Sequence, residues 1–525
     1  MTTASGIPVW REFGPSPGPA SVTETRRIVI VGAGPVGLTL ALDLAQRGHD
    51  VLVLNRLAFI AAGSKAICFA KRSLEIWDRL GVARAMIDKG VVWNVGRVFW
   101  GDRPEPIYQF DLLPDKCQRL PAFINLQQYH VEERLVDALS EHPNVELRWG
   151  HGVVGVEQRP AGARLSVSSE VGDYIVECDW LIACDGCKST VRESLGFDFD
   201  GRVFEDNFLI ADIRMKGEFP TERWFWFDPP FNRNQSALLH KQPDDIWRLD
   251  FQLGWDIDRE ASVRPENVEP LIRGLLGPDV AFEREWYSVY TFQCRRMSRF
   301  VHGRVIFAGD SAHVVSPFGA RGCNGGLADA ANLGWKLDLV LSGEASEALI
   351  ESYNDEAIVA ADENIRHSSR ATDFMSPKTP AGRILRDAVL ELATDHDWAR
   401  RFVNSGRLSA AIDDRHSALN TPDRDGDWRG PAPGTPAVDA PLGAGWLFDR
   451  LGKGFALIGR QAPVSLGLPL IEVDVSDVQL IDRYDLRPGS AYLIRPDQYV
   501  AARWRSVDRE TVATAMAIAT GGIRA

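Results

Sequence analysis

Three glycines near the amino terminus have the spacing of a phosphate-binding turn. In "IVIVGAGPVGLTLALDLAQRG", Gly32, Gly34 and Gly37 separate an apolar β-branched run from a segment with helical periodicity, and Pro35 lies within the turn. The first glycine permits a tight turn, the second lets a pyrophosphate approach the backbone, and the third lets the helix pack on the strand. Free N–H groups at the start of the helix attract phosphate. The spacing therefore predicts a dinucleotide-binding unit.

The residue that ends the second strand departs from this pattern. Such strands usually end in Asp or Glu, whose carboxylate accepts hydrogen bonds from ribose, but "DVLVLNR" has Asn55 followed by Arg56. Asn retains one acceptor oxygen, and hydrogen bonds to charged groups are worth roughly 1.5–3 kcal/mol against about 1 kcal/mol for neutral ones. We therefore expect Asn55 to weaken ribose binding by about one kcal/mol, severalfold to tenfold, and not to exclude a nucleotide.

Two later segments add to the glycine turn. In "GRVIFAGDSAHVVSPFGARGCNGGLADAANLGWKL" a strand, Asp310, a Pro/Gly-rich loop and a helix follow one another directly, and "LIACDGCKSTVRESLGF" contains Asp185. Gln128 begins the helical pattern "QYHVEERLVDAL". Together with the glycine turn, these segments occupy residues 27–342. The combination resembles the FAD-dependent aromatic hydroxylases, the single-component (class A) flavoprotein monooxygenases of the phenol hydroxylase and 3-(3-hydroxyphenyl)propionate hydroxylase type.

The resemblance implies a role for each motif. Asp310 would bind the ribityl hydroxyls, Pro317 would lie by the flavin ring, and loop 319–325 would bring backbone N–H groups to its pyrimidine end. Ala320 stands where the family frequently has a second Gly, and Lys65 where it usually has Arg. The residues expected to contact the cofactor are Gly32, Gly34, Pro35, Gly37, Asn55, Arg56, Lys65, Gln128, Asp185, Asp310, Pro317, Gly322, Cys323 and Asn324.

The resemblance also implies the reaction. NADPH or NADH would reduce FAD without a nicotinamide domain of its own, which fits the lack of a second glycine motif. O₂ would then give a flavin C4a-hydroperoxide that hydroxylates a phenolic ring ortho or para to an ionised hydroxyl, with the protein supplying position and dryness. At the position where phenol hydroxylases carry an Asp, this chain has Ile67, so no base is identified. Pro317 is the one residue expected beside the chemistry.

A segment unusually rich in tryptophan, residues 201–294, predicts a second sheet under which the substrate would lie. Several aromatic and polar residues are candidates for contacting the substrate, although each of them is also compatible with an ordinary core position. They are Trp93, Trp224, Trp226, Trp286, His240, Gln252 and Tyr290.

The predicted fold is α/β, with a Rossmann-like FAD-binding domain interleaved with the substrate sheet. The carboxy-terminal part, with "RYDLRPGSAYLIRPDQYVAARW", resembles the thioredoxin-like domain that members of the phenol hydroxylase type append, and the resemblance implies such a domain here. That last domain contains no cysteine, so it cannot exchange disulfides, and a structural or dimer-supporting role remains. The expected boundaries are a flexible arm (1–26), the FAD-binding domain (27–200 and 295–370), the substrate sheet (201–294), a helical segment (371–420), a linker (421–445) and the thioredoxin-like domain (446–525).

Composition limits the partners. A net charge of −13 argues against nucleic acid or an anionic membrane, and no apolar run reaches the ~18 residues of a membrane span or resembles a signal peptide. The seven cysteines all precede residue 324, which indicates a reducing cytoplasm. Cys184 and Cys187 lack a second ligand pair, so we expect no metal site. We expect a homodimer acting on a small phenolic compound.

Two alternatives stay open. "WFWFDP" (224–229) partly matches a motif of flavin-dependent halogenases, but Asp228 replaces the Ile of that motif. NAD(P)H consumption without a partner reductase would exclude a halogenase. A non-catalytic flavin-fold interaction protein is the second alternative, and the complete Asp185 and Asp310 motifs argue against it.

Overall fold

The computed structural model describes residues 8–63, 65–113, 117–216, 219–404, 408–424, 427–462 and 467–522. The strands are β1 (Val9–Glu12), β2 (Thr23–Val31), β3 (Val51–Asn55), β4 (Phe59–Ala61), β5 (Cys68–Ala70), β6 (Val91–Trp93), β7 (Val95–Trp100), β8 (Tyr108–Asp111), β9 (Phe123–Asn125), β10 (Val145–Trp149), β11 (His151–Arg159), β12 (Gly162–Ser169), β13 (Tyr174–Ala183), β14 (Asp200–Arg214), β15 (Arg223–Phe227), β16 (Ser236–Lys241), β17 (Ile246–Gly254), β18 (Glu283–Arg296), β19 (Val301–His302), β20 (Val305–Phe307), β21 (His313–Val314), β22 (Pro441–Leu442), β23 (Gly445–Trp446), β24 (Ala456–Gly459), β25 (Leu470–Glu472), β26 (Ala491–Ile494) and β27 (Val500–Trp504). The helices are α1 (Pro35–Gln46), α2 (Lys71–Arg79), α3 (Ala83–Lys89), α4 (Gln128–Leu139), α5 (Thr190–Ser194), α6 (Arg259–Ser262), α7 (Pro265–Leu276), α8 (Arg321–Leu341), α9 (Ala348–Met375), α10 (Pro380–Asp395), α11 (Asp397–Asn404), α12 (Leu447–Arg450), α13 (Val478–Tyr484) and α14 (Arg509–Ala519).

The first large sheet is the predicted Rossmann-like unit. Strands β10, β3, β2 and β13 pair in parallel in that order, and the end of β13 also pairs in parallel with β20. The antiparallel strands β11 and β12 continue the sheet from the first half of β13. Apolar runs such as Ile28–Val31 are almost completely buried, as expected for strands covered on both faces. Helix α1 packs against α4 and α8 on this sheet.

Five of the eight strands of the second large sheet, β14 to β18, lie between β13 and β20 in the sequence, whereas β7 and β8 precede β13 and β21 follows β20. The two units are therefore interleaved, as predicted. The strand order of the second sheet is β21-β18-β14-β17-β16-β15-β7-β8. Adjacent strands are antiparallel except for the parallel pair β15 and β7, and the register shifts within the pairs that β14 makes with β17 and β18. Because successive side chains of a strand alternate, the sheet has two different faces. One face packs with Val268 and Ile272 of α7. The opposite face, here called the near face, packs with Phe318 of the loop that precedes α8.

The carboxy-terminal unit has a four-stranded sheet of order β25-β24-β26-β27, accompanied by α13 and α14. Strands β24 and β25 are parallel, and the other two pairs are antiparallel. This arrangement is compatible with the predicted thioredoxin-like domain, and that assignment stays a prediction.

Two expected boundaries differ from the observed elements. Within the predicted arm, residues 1–7 lie outside the described part of the chain, but β1 pairs with β4 and β2 already begins at Thr23. Within the predicted linker, Trp428 is buried in an apolar cluster, and its indole N–H donates to the Tyr484 carbonyl at 2.7 Å. Pro, Gly and Asp content indicated flexibility in both segments, whereas β1, the start of β2 and Trp428, which lie in their described parts, make tertiary contacts.

None of the helices in the described ranges is long and apolar enough to cross a membrane. All seven cysteines are free thiols. Within those same ranges, no group of three or more His, Cys, Asp and Glu side chains is arranged to hold a metal ion.

Candidate functional site

The glycine turn between β2 and α1 leaves open space at one position only. A Cβ atom on Gly32 would lie 2.4 Å from the Cys184 carbonyl oxygen, and one on Gly37 would lie 2.1 Å from the Gly32 carbonyl oxygen. A Cβ on Gly34 would meet no atom within 4 Å, and Gly34 precedes the first residue of α1. Packing therefore requires the outer two glycines, while the middle one faces space in which a phosphate could approach the helix N-terminus.

Asn55 holds this turn in place. Its Oδ1 accepts a hydrogen bond from the Ala33 N–H at 3.1 Å, and its Nδ2 donates to the Leu57 carbonyl at 2.9 Å. The sequence predicted only a bond from Asn55 to ribose, whereas in the structure its side-chain donor and acceptor both make hydrogen bonds within the protein. Arg56 is exposed, and its side chain extends past Gly152.

Asp310 lies in a short 3-10 turn (Gly309–Ser311) after β20. Its side chain is reached by solvent, yet enough protein surrounds it that burial raises its pKa, against the opposing effects of His313 and Lys65. The turn is fixed from beneath by the buried Asp329, whose carboxylate accepts from the Gly309 N–H at 2.9 Å and from His313 Nε2 at 2.7 Å. Burial alone would lower the pKa of His313, but Asp329 outweighs it and raises that pKa.

The segment after β13 lies against this turn. Asp185 accepts a hydrogen bond from the Val191 N–H at 3.1 Å, its other carboxylate oxygen has no hydrogen-bond partner among the described residues, and burial raises its pKa. Arg192 donates to the carbonyls of Ser311 at 2.9 Å and Cys187 at 2.7 Å. The structure therefore joins the two predicted motifs through one arginine.

The loop after Pro317 ends in a left-handed residue at the start of α8. Ala320 has φ 55° and ψ 40°, and its N–H donates to the Pro317 carbonyl at 2.9 Å. The Asn324 side chain accepts from the Ala70 N–H and donates to the Cys68 carbonyl, both at 2.9 Å. Its cofactor contact stays a prediction and would fall to its backbone N–H. The first-turn N–H groups of α8, which have no carbonyl partner inside the helix, include those of Gly322, Cys323 and Asn324.

Gln128 connects α4 to the segment that contains Lys65. Its Oε1 accepts from the Ala66 N–H at 3.1 Å, and its Nε2 donates to Glu132 at 2.7 Å. Burial raises the pKa of Glu132 to about 7, against the lowering effects of Gln128 and Lys65. The sequence analysis missed Glu132, although its position one helical turn after Gln128 was a usable signal.

Strand alternation places predicted substrate contacts on different faces of the second sheet. Trp224 and Trp226 lie on the face of the second sheet that packs with α7, so they point away from the Asp310 turn. Gln252 lies on the near face, but its amide is already occupied: it accepts from the Ser236 N–H at 3.1 Å and donates to the Ser376 hydroxyl at 2.5 Å. The contact of these three residues with a substrate stays a prediction.

The other four candidates are grouped toward the near face. Trp93 is buried below the sheet and donates to Asn125 Oδ1 at 2.9 Å. Tyr290 and Trp286 are in edge-to-face contact, 6.4 Å between ring centroids. His240 is completely buried on the same face. Their contact with a substrate stays a prediction.

Arg223 is a near-face residue that the sequence analysis missed. It is 4% exposed, and its guanidinium lies 3.7 Å from the Cys68 Sγ. The signal was present in "RWFWF", because Arg223 has the same strand parity as the inward Phe225 and Phe227. A charged residue at the end of an aromatic run was overlooked because charge usually indicates a surface position.

A sequence profile described as "FAD binding domain" matches residues 25–368. The chain belongs to this family, that of the class A FAD-dependent aromatic hydroxylases. It is an FAD-dependent monooxygenase, and the predicted recognition is confirmed.

Relatives of this flavoprotein monooxygenase include the 12-dehydrotetracycline 5-monooxygenase/anhydrotetracycline 6-monooxygenase of Streptomyces rimosus, 33% identical over 379 residues that cover 70% of this chain and 73% of the relative. The 3-(3-hydroxy-phenyl)propionate/3-hydroxycinnamic acid hydroxylase of Klebsiella pneumoniae is 28% identical over 523 residues, 92% of each chain. The crystal structure of the anhydrotetracycline hydroxylase OxyS from Streptomyces rimosus superimposes with a TM-score of 0.72 at 26% identity, covering 96% of this chain and 100% of that one.

The geometry of this flavoprotein monooxygenase fits FAD. The open space at Gly34 would take the pyrophosphate, the accessible Asp310 would take ribityl hydroxyls, and the first turn of α8 would face the flavin ring. Asp329 of α8 fixes the turn that contains Asp310, and Arg192 connects that turn to the segment after β13.

Proposed function

We propose that this protein uses NADPH or NADH and O₂ to hydroxylate a small phenolic compound ortho or para to its hydroxyl group. One observation carries the proposal: strand β5 joins the cofactor loop to the near face of the second sheet. The Cys68 carbonyl accepts from Asn324 in the first turn of α8, and the Cys68 thiol contacts Arg223 on the near face. Only Cys68 would therefore separate a ring bound on that face from the cofactor loop.

The chain's own residues would bind the cofactor, orient the substrate and exclude water from the site. When bound, FAD takes a hydride from NAD(P)H and, with O₂, transfers one oxygen atom to the ring while the other leaves as water. The first-turn N–H groups of α8 would stabilise negative charge at the pyrimidine end of the flavin. Phe208, Phe292 and Phe318 form one aromatic cluster between sheet and loop and would exclude water from the reacting atoms.

The relatives support an aromatic substrate and leave its size open, since their names include a phenylpropionate and tetracyclines. We further propose a homodimer in the cytoplasm, which the family resemblance supports and with which seven free thiols are in keeping. Neither alternative function gains support from the relatives. Trp224 and Trp226 of the halogenase-like motif pack on the face of the second sheet opposite the near face.

The decisive experiment measures NADPH and NADH oxidation by the purified FAD-loaded protein across a panel of substituted phenols. We expect at least one phenol to accelerate oxidation and to yield a product with one added hydroxyl and one equivalent of NAD(P)⁺. Asp310→Ala is the matched control and should lose FAD, seen as loss of the flavin absorption after gel filtration. Flavin that only a separate reductase can reduce would contradict the proposal, as would reduction that no phenol accelerates.

A further inference from the structure

Arg223 is a buried cation surrounded mainly by uncharged groups. Its guanidinium lies 4.9 Å from the Phe225 ring centroid and 5.7 Å from that of Trp93, and Nη1 is 3.7 Å from the Cys68 Sγ. Its Nε has no hydrogen-bond partner in the described part of the chain. Burial lowers the pKa of Arg223, against the effects of Cys68 and Asp250.

A neighbouring arginine on the same face, Arg248, has its buried charge neutralised by a carboxylate. Arg248 pairs with Asp212 through two hydrogen bonds, Nε–Oδ1 at 2.8 Å and Nη2–Oδ2 at 2.7 Å. Within the described ranges, Arg223 has no such ion pair. Burying an unpaired guanidinium costs several kcal/mol, so Arg223 destabilises the ligand-free fold unless a bound group compensates its charge.

The polar atoms near Arg223 are also unsatisfied. Both ring nitrogens of His240 and the Oδ1 of Asp250 are buried without a hydrogen-bond partner among the described residues, and the His240 Nε2–Asp250 Oδ2 separation of 3.4 Å is too long for a well-formed bond. Burial, with Arg223, lowers the pKa of His240 to about 4, so its imidazole is neutral near pH 7 and offers one donor and one acceptor.

We propose that Arg223 is a specificity-determining residue that binds an anionic oxygen of the aromatic substrate, a carboxylate or a phenolate. His240 and Asp250 then serve a neighbouring hydroxyl group of the same molecule. An anionic oxygen would supply both the missing charge and the missing acceptor of Arg223, and this recovers the cost of its burial. The proposal rests on the proposed function, because it places the substrate on the near face.

The test uses the FAD-loaded protein and three probes: benzoate for a carboxylate, 4-nitrophenol for a phenolate, and phenol as the neutral ring. Binding is measured from flavin difference spectra, from the phenolate absorption band of 4-nitrophenol, and from the thermal midpoint. We expect at least one anion to bind about tenfold more tightly than phenol. Whichever of benzoate and 4-nitrophenol binds identifies the source of the oxygen.

Arg223→Met is the informative variant. It should weaken binding of that anion by about tenfold or more and leave phenol nearly unchanged. Its ligand-free thermal midpoint should equal or exceed that of the wild type, because an uncompensated buried charge is replaced by an apolar side chain of similar length. Arg223→Lys keeps the charge, and we expect it to retain part of the affinity even if the Met variant folds poorly.

Arg284→Met is the matched control, since Arg284 is an exposed arginine of the same sheet whose guanidinium lies 4.7 Å from the Tyr287 centroid. It should change none of these values. The proposal is overturned if Arg223→Met binds the anions as the wild type does, if Arg223→Lys binds them no more tightly than phenol, or if the wild type prefers phenol. FAD content and reduction by NAD(P)H are measured in parallel, so failure of the anion site can be distinguished from failure of the proposed function.

Discussion

At the scale of single residues, neighbours decide what a polar side chain does. Asn55 was expected to be a weak substitute for a ribose-binding carboxylate, and it also fastens the glycine turn through Ala33 and Leu57. Residue type and position were enough to locate Asn55 at the end of β3. Its second task depends on a hydrogen bond to a backbone carbonyl, which no sequence pattern showed.

Asn55→Glu tests both tasks at once. A charged acceptor should tighten FAD binding severalfold, with little effect on substrate choice, because charge-assisted hydrogen bonds are stronger than neutral ones. The Leu57 carbonyl loses its donor, so the free energy of unfolding without FAD should fall by about 1 kcal/mol. Fluorescence titration with FAD and urea unfolding measure the two effects. Unchanged FAD affinity would refute the expected ribose contact, and Asn55→Ala is the control that removes both bonds.

At the scale of elements, the start of α8 is where the cofactor loop is shaped. The sequence motif located this helix and its loop, because strand, Asp310, Pro317 and glycines follow one another locally. The hydrogen bond that fixes the first turn of α8 could not be predicted, because the Asn324 side chain accepts it from the Ala70 N–H, 254 residues away in the sequence.

The left-handed backbone of Ala320 places conformational strain at the start of α8, and substitutions there test it. A left-handed conformation costs a non-glycine residue roughly 1–2 kcal/mol. Ala320→Gly should therefore be tolerated, since the relief of that strain offsets the lost methyl packing, whereas Ala320→Val should lower the unfolding free energy by more than about 1 kcal/mol and weaken FAD binding. Thermal unfolding with and without FAD measures both. Equal stability of the Val and Gly variants would show that the backbone here is not left-handed.

At the scale of the whole molecule, a buried charge network connects the carboxy-terminal unit to the cofactor domain. Glu356 of α9 accepts from Lys336 of α8 at 2.7 Å and from Arg495, which follows β26, at 2.7 and 3.0 Å. Arg495 also pairs with Asp497 at 2.6 Å. The sequence analysis left the role of the carboxy-terminal unit open, because charges 139 residues apart carry no local sign that they meet.

Glu356→Gln should be strongly destabilising. Removing one partner of a buried ion pair leaves the others uncompensated and typically costs about 3–5 kcal/mol. Asp88→Asn, which breaks the exposed Arg84–Asp88 pair, should change the free energy of unfolding by less than about 1 kcal/mol. Urea unfolding of both variants makes the comparison. Similar values for the two would mean that the network does not hold the units together.

The same network predicts an acid limit to stability. Burial alone would raise the pKa of Glu356, but Arg495 and Lys336 outweigh it and hold that pKa well below its ordinary value of 4.5. A carboxyl group with a lowered folded-state pKa stabilises the fold above its unfolded pKa, and this stabilisation is lost as the pH falls below about 4.5. Wild-type unfolding free energy should therefore decrease in this window, and Glu356→Gln should show a shallower decrease. Parallel pH profiles would refute the assignment.

The position of strands β14 to β18 between β13 and β20 in the sequence has a consequence for synthesis on the ribosome. Leu181 pairs with Val305, so the end of β13 has no β20 partner until about 120 further residues have emerged, roughly 6–24 s at about 5–20 residues per second. During that time a nascent chain exposes an apolar strand edge that can pair with other chains. Slower initiation or co-expressed chaperones should therefore raise the yield of folded protein more than added FAD does, because Asp310 is translated only after β20.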